Sequence, residues 1–294
     1  MKIKEITDYL DSVFHPELQE DYDNSGFLLG DGGEECRGAL VALDLTEAVL
    51  DEAKALGMNL IVTHHPVIFH GVKRITDERN GVLYRLLRSG TAVYAAHTNL
   101  DSLAWGVSGV LAGKLGLKEC RILQQSSVDK INVDKFISSC PSGGPTTYQH
   151  IWCAVGSADN LSTDQVGLGM VGELEEPVPL KEFLLKVKTL TGIPCIRFAP
   201  CASLTAKVRR MALCGGSGAD FIDAAKEAGA DLYLTADLKY HDFQEATPKM
   251  ALADIGHYES EQFAKEIIFH AILEKFSTFA CRISDAQKSI VSYI

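Results

Sequence analysis

Two stretches of this 294-residue chain follow one strand–helix–strand plan. VALDL…DEAKALGMNLIVTHH matches MALCGGSG…IDAAKEAGADLYLTAD: Ala42-Leu43 falls on Ala212-Leu213, and Ala53 to Thr63 on Ala225 to Thr235, with two extra residues in the second, glycine-rich turn. In each half the next strand is followed by a histidine and, four residues later, an acid: His97 and Asp101 in AAHTNLD, His257 and Glu261 in DIGHYESE. Agreement in element order, strand ends and acid spacing makes chance the poorer explanation. Strand, helix and strand at this spacing predict a right-handed crossover in a parallel sheet. The expected fold is therefore α/β: two related halves from an internal duplication, with mixed or parallel sheets flanked by helices. A site between the halves is expected where the carboxyl ends of the strands converge.

The rest of the chain fits around this plan. Ile3, Ile6, Leu10, Val13 and Phe14 share one face of an opening helix. Strands are expected at Gly26–Gly30, Ala39–Leu45, Leu60–Thr63 and Thr91–Ala96, with helices at Thr46–Leu56 and Gly81–Ser89. The breaker cluster CPSGGPTT interrupts a stretch without sustained period. The expected division is 1–118 for the first half, 119–163 for a linker or reduced insertion, and 164–294 for the second half.

The chemistry-bearing residues gather at the expected strand ends. His64-His65 follows the apolar strand LIVT directly, and Pro66 drives the chain out of regular geometry. Adjacent side chains of a strand point to opposite faces, so both imidazoles serve one site only if the chain bends there. One histidine in such a place is usually structural; two, at the end where a site is expected, reverse that balance. On a helix, His97 with Asp101 and His257 with Glu261 lie one turn apart, roughly 5–6 Å between Cβ atoms. Either pair alone reads as a solvated surface pairing, but together at matching strand ends they point to metal. His64, His65, Asp101, His257 and Glu261 are the expected ligands, with Glu261 bridging two ions ~3.5–4 Å apart. Imidazole and carboxylate suit zinc, manganese, iron, cobalt or nickel, and softness does not choose among them.

Other candidates carry weaker signals. Gly215, Gly216 and Ser217 lie in a glycine-rich strand-to-helix turn whose amides would suit an anion, although a tight turn explains them equally. Asp237, Lys239 and His241 occupy the position matching His64-His65 and are expected around the site or on a surface loop. His97 and His241 are the expected proton carriers. His70 either orients substrate or faces solvent.

Composition narrows the function classes. A formal charge of −11 argues against a nucleic-acid groove but not against an anionic substrate held through metal ions. Eight cysteines without a CxxC pair read as reduced thiols in the cytoplasm, and a thiolate zinc site is not expected. The N-terminus lacks the apolar core of a signal peptide, and no apolar run approaches the ~20 residues of a membrane span.

At these residues the sequence resembles the GTP cyclohydrolase 1 type 2 homologues, also called the NIF-three-like family. YDNSGFLLGD, IVTHHPVIFHG, AAHTNLD, GLGMVGEL, MALCGGSG, TADLKYHD and GHYESEQFA carry the resemblance, which spans most of the chain outside roughly residues 119–160. IVTHHP followed by GHYESE is its most specific part. The resemblance implies a dinuclear metal site of His64, His65, Asp101, His257 and Glu261, with His97 as an additional or outer ligand. It also implies a ring-shaped hexamer, a trimer of dimers whose sites face an internal cavity. Two departures stand out: residues 119–160 are too few for the ferredoxin-like domain of longer relatives, and Tyr22 stands where relatives often have Trp. The expected function is hydrolysis of a nucleotide-like or pterin-like small molecule by two divalent transition-metal ions (zinc, iron or manganese). The same ligands suit an iron-dependent oxidase or hydroxylase, and a non-enzymatic metal-binding or protein-interaction role is the third alternative.

Overall fold

In the computed structural model, which describes residues 1–78, 80–125, 166–246 and 248–294, the chain opens with helix α1 (Ile3–Phe14). It buries Ile3, Ile6, Leu10, Val13 and Phe14, the stripe its helical period predicts. There follow β1 (Gly26–Leu29), β2 (Ala39–Ala42), α2 (Glu47–Ala55), β3 (Leu60–Thr63), α3 (Gly81–Ser89), β4 (Ala92–Ala95) and α4 (Thr98–Asp101). The chain continues through α5 (Val107–Leu115), β5 (Lys118–Gln125), β6 (Gly167–Pro179), α6 (Leu180–Thr191), β7 (Arg197–Ala199) and β8 (Lys207–Ser217). The last elements are α7 (Ile222–Glu227), β9 (Leu232–Ala236), β10 (Ala251–Asp254), α8 (His257–Glu261), α9 (Ala264–Lys275) and β11 (Cys281–Ile283).

These elements form two compact units. The first comprises Met1–Leu100 and Ala264–Lys288. Its five strands run in the order β1-β4-β3-β2-β11, with β4, β3, β2 and β11 parallel and β1 antiparallel to β4. Parallel strands covered on both faces read as unbroken apolar runs, and every residue of ALVA, LIVT and AVYA is buried. Leu40, Ala42, Ile61 and Val93 pack with Val49, Leu50 and Ala53 of α2 and Leu83 and Leu86 of α3.

The second unit comprises Asp101–Phe263 and Ser289–Ile294. Its six strands run β5-β6-β8-β9-β10-β7. Here β8, β9 and β10 are parallel, whereas β5, β6 and β8 pair antiparallel and β7 pairs antiparallel with β10. The protein is thus a mixed α/β fold of two sheets flanked by helices, and no helix among the described residues is long and apolar enough to cross a membrane.

Three expectations differ in detail. The units part at Leu100 and not at residue 118, and Ala264–Lys288 joins the first unit because β11 pairs with β2. Residues 118–125, whose larger part was expected to be linker, form strand β5; residues 126–163 of the expected insertion lie outside the described residues. The strand expected to reach Leu45 stops at Ala42, which frees Leu43 and Asp44 to turn.

Candidate metal centre

In the first unit, parallel pairing brings the carboxyl ends of β2, β3 and β4 to one side of the sheet. Asp44 lies just beyond β2, His64-His65 directly after β3, and His97 just beyond β4. The Thr63 hydroxyl donates to the His65 carbonyl at 2.8 Å, a local bond that turns the chain out of the strand. That bend resolves the alternation problem: the two rings are tilted together with centroids 5.1 Å apart, and one ligand nitrogen of each lies within 4.8 Å of the other. His97 closes a triangle, 5.4 Å from His64 and 5.6 Å from His65 between ring centroids.

Each ring of the triangle is fixed through the same nitrogen. His64, fully buried, has Nδ1 2.7 Å from the Ala96 carbonyl oxygen, which can only accept. His65 Nδ1 donates to Asp44 at 2.6 Å, and His97 Nδ1 donates to Asp23 at 2.6 Å. With the proton held on Nδ1, the neutral imidazole presents its lone pair on Nε2. The anchors are themselves held. Gln287 donates to the other Asp44 oxygen at 3.1 Å. Burial works against a charge on Asp23, yet donors from His97, Thr98 and Asn24 hold its carboxyl well below the usual carboxylate range.

In the second unit, the ends of β8, β9 and β10 likewise share one side. His257 opens α8 after β10, and its Nδ1 donates to Asp237, just beyond β9, at 2.7 Å. Its Nε2 lies 2.9 Å from Glu261, one turn along the helix and 4% exposed. Burial works against a charge on His257, but Asp237 and Glu261 push it up to about 11. An imidazole between two carboxylates marks a place that demands positive charge. The Cys214 thiol is pushed up by burial and then by Asp101 and Glu261, so both carboxylates act on the same corner of this unit.

The glycine-rich turn makes room for Glu261. A Cβ on Gly216, which sits at φ +65°, would lie 1.9 Å from Glu261 Oε1, and one on Gly215 would lie 3.5 Å from its Cγ. Gly216 N–H donates to Ser260 at 3.0 Å, and its carbonyl accepts from Thr235 at 3.1 Å. Gly215 and Gly216 therefore bring a strand close to a buried carboxylate, and an anion would be repelled there without a cation between. Lys239 and His241 are exposed on the loop after β9, where the Lys239 amide donates to Asp242 at 2.6 Å.

Within each unit the side chains suit a divalent transition metal: imidazoles held from behind at Nδ1, and in the second unit a buried carboxylate able to neutralise the charge. Asp237 occupies the position opposite His64-His65 in the sequence alignment. Asp23 and Asp44 were missed because they stand 74 and 21 residues from the histidines that they hold. For Asp44 a signal existed: an acid closing the apolar run ALVAL at the same sheet edge.

A model of one family, Duf34/NIF3 (NGG1p interacting factor 3), matches residues 1–289. The chain belongs to the Duf34/NIF3 family. A Clostridium perfringens protein named GTP cyclohydrolase 1 type 2 homolog is 30% identical, over 89% of this chain and 87% of that one. A Staphylococcus aureus protein of the same name is 28% identical, over 99% of this chain and 98% of its own. That alignment runs over 363 positions, more than this chain possesses, so this relative of the Duf34/NIF3 chain carries additional residues within the matched span. Two solved structures share the fold. A Bacillus cereus protein related to NIF3 has TM-score 0.83 at 24% identity, covering 100% of this chain and 99% of that one. The S. aureus protein SA1388 has TM-score 0.81 at 29% identity with the same coverage.

Proposed function

We propose that this Duf34/NIF3 chain is a metal-dependent hydrolase of a nucleotide-like or pterin-like small molecule. Two divalent transition-metal ions, zinc, iron or manganese, would be held by His64, His65, Asp101, His257 and Glu261, with Glu261 as the ligand shared between them. The observation that carries this is the common anchoring of four imidazoles, each held at Nδ1 by an oxygen. A histidine that merely packs or faces solvent has no need of a carboxylate behind it. The name borne by the relatives, GTP cyclohydrolase 1 type 2 homolog, supports the substrate class.

When bound, the ions would bring the pKa of a shared water near neutrality and polarise the attacked centre. The chain's own residues do the rest. Asp44 and Asp237 keep their imidazoles in the ligating tautomer. His97, oriented by Asp23 through Nδ1, takes and returns the proton at Nε2. His241 is a second carrier from its exposed loop. Gly215, Gly216, Ser217 and Lys239 face the substrate side, where an anion requires the metal charge. The same proposal includes two halves related by duplication, a cytoplasmic setting and a homohexamer built as a trimer of dimers.

Metal analysis of protein purified without chelator tests the centre. Two ions per chain are expected, with loss of at least one in Glu261→Gln and in His64→Ala; full stoichiometry in both variants refutes the ligand set. Turnover of a nucleotide and pterin panel tests the hydrolase. The family description names an interacting factor, which favours one second reading: a loaded protein inert towards the whole panel is a binding protein. Light scattering tests the hexamer, and a monomer at micromolar concentration would sink it.

A further inference from the structure

The loop between β3 and α3 carries an aromatic surface that the metal centre does not use. Phe69 meets His97 edge-to-face, with ring centroids 5.8 Å apart and planes at 84°. His70 flanks Phe69 at 4.7 Å, and Tyr22 lies 6.3 Å away on its other neighbour loop. Phe69 is 36% exposed and Tyr22 62% exposed. Asn24 Nδ2 ties the loop down by donating to the Ile68 carbonyl at 2.6 Å. Exposed aromatic faces next to an oriented imidazole are suited to a planar ring, since every heteroaromatic base presents a π-face for stacking.

The same loop supplies charge. Lys73 and Arg74 are exposed and make no ion pair among the described residues. In a chain of net charge −11, two adjacent cations left unneutralised four and five residues beyond the aromatic ring are complementary to phosphate.

We propose that Phe69 and Tyr22 form a stacking shelf for the planar ring of a nucleoside triphosphate, with Lys73 and Arg74 taking its phosphates. The shelf lies in one unit and is built from its own loops; only the reacting end of the substrate rests on the hydrolase reading above. It selects a planar heteroaromatic ring joined to phosphate over a bare sugar phosphate.

Calorimetry with the metal-loaded full-length protein tests this, using GTP, ATP, guanosine and inorganic triphosphate as probes. Phe69→Ala is expected to weaken GTP and guanosine about tenfold, in line with stacking on one aromatic face, and to leave triphosphate binding unchanged. Phe69→Trp should restore the loss. The Lys73→Ala/Arg74→Ala double variant is expected to weaken GTP and triphosphate about tenfold and to spare guanosine. Metal content and melting temperature, measured alongside, should match the wild type in every variant. The shelf is overturned if Phe69→Ala binds GTP as tightly as the wild type, or if the wild type binds neither GTP nor ATP. Full metal retention in Glu261→Gln beside an intact Phe69 effect refutes the metal centre and leaves the shelf standing; two ions per chain without ring binding does the reverse.

Discussion

Gly216 shows how tightly one position is fixed by the chemistry around it. Its positive φ strains any residue with a side chain, and a Cβ would overlap Glu261 Oε1. Gly216→Ala is expected to destabilise the fold by ~1–2 kcal/mol from backbone strain alone and to displace Glu261, lowering metal content. Thermal melting and metal analysis together check this, and a variant with wild-type values in both would refute the packing account. Asp237 also sits at positive φ, +57°, which Asn tolerates as well as Asp. Asp237→Asn therefore keeps the loop and removes the anionic anchor of His257; metal affinity should fall about 10–100-fold in a chelator competition titration. The paired histidines and the His-x-x-x-acid spacing were visible in the sequence because strand ends are local signals. Their anchors were not, since Asp23 and Asp44 reach His97 and His65 only through sheet pairing.

At the level of elements, apolar runs and capping signals carried most of the information. Thr46 caps α2 through its hydroxyl, which accepts from the Val49 amide at 3.3 Å, as its place before an amphipathic run predicts. The strand β5 was illegible because its residues, KECRILQQ, are polar at both ends and pair only along one edge with β6. Strands β7 and β11, three residues each, are too short to show a period. Helix α1 is joined to β4 by the fully buried Tyr94, whose hydroxyl donates to Asp11 at 2.9 Å. Burial raises the Asp11 carboxyl above its ordinary range, with the Tyr94 bond opposing. A raised folded value means a contribution that is complete below the unfolded carboxyl range and lost as pH rises through the folded value. Asp11→Asn keeps an acceptor for Tyr94 and removes the titration. It should melt higher than the wild type at neutral pH, the difference vanishing in acid; a pH-independent difference would contradict the burial argument.

For the whole molecule, the sequence conveyed two sheets flanked by helices but not which segments complete them. The first unit is discontinuous: its last strand arrives only after all of β5 to β10. Bonds from Ala39 N to the Ala280 carbonyl at 2.9 Å and from Ser284 N to the Val41 carbonyl at 2.8 Å seal β2 with the β11 segment. During synthesis, then, β2 waits with one edge unsatisfied until the ribosome has passed Ile283. An apolar edge in that condition recruits other chains. A chain stopped after Phe276 is expected to aggregate where the 294-residue chain remains dispersed, and sedimentation after expression would check it. On this account, a growing chain stays dispersed only once synthesis has carried it past β11.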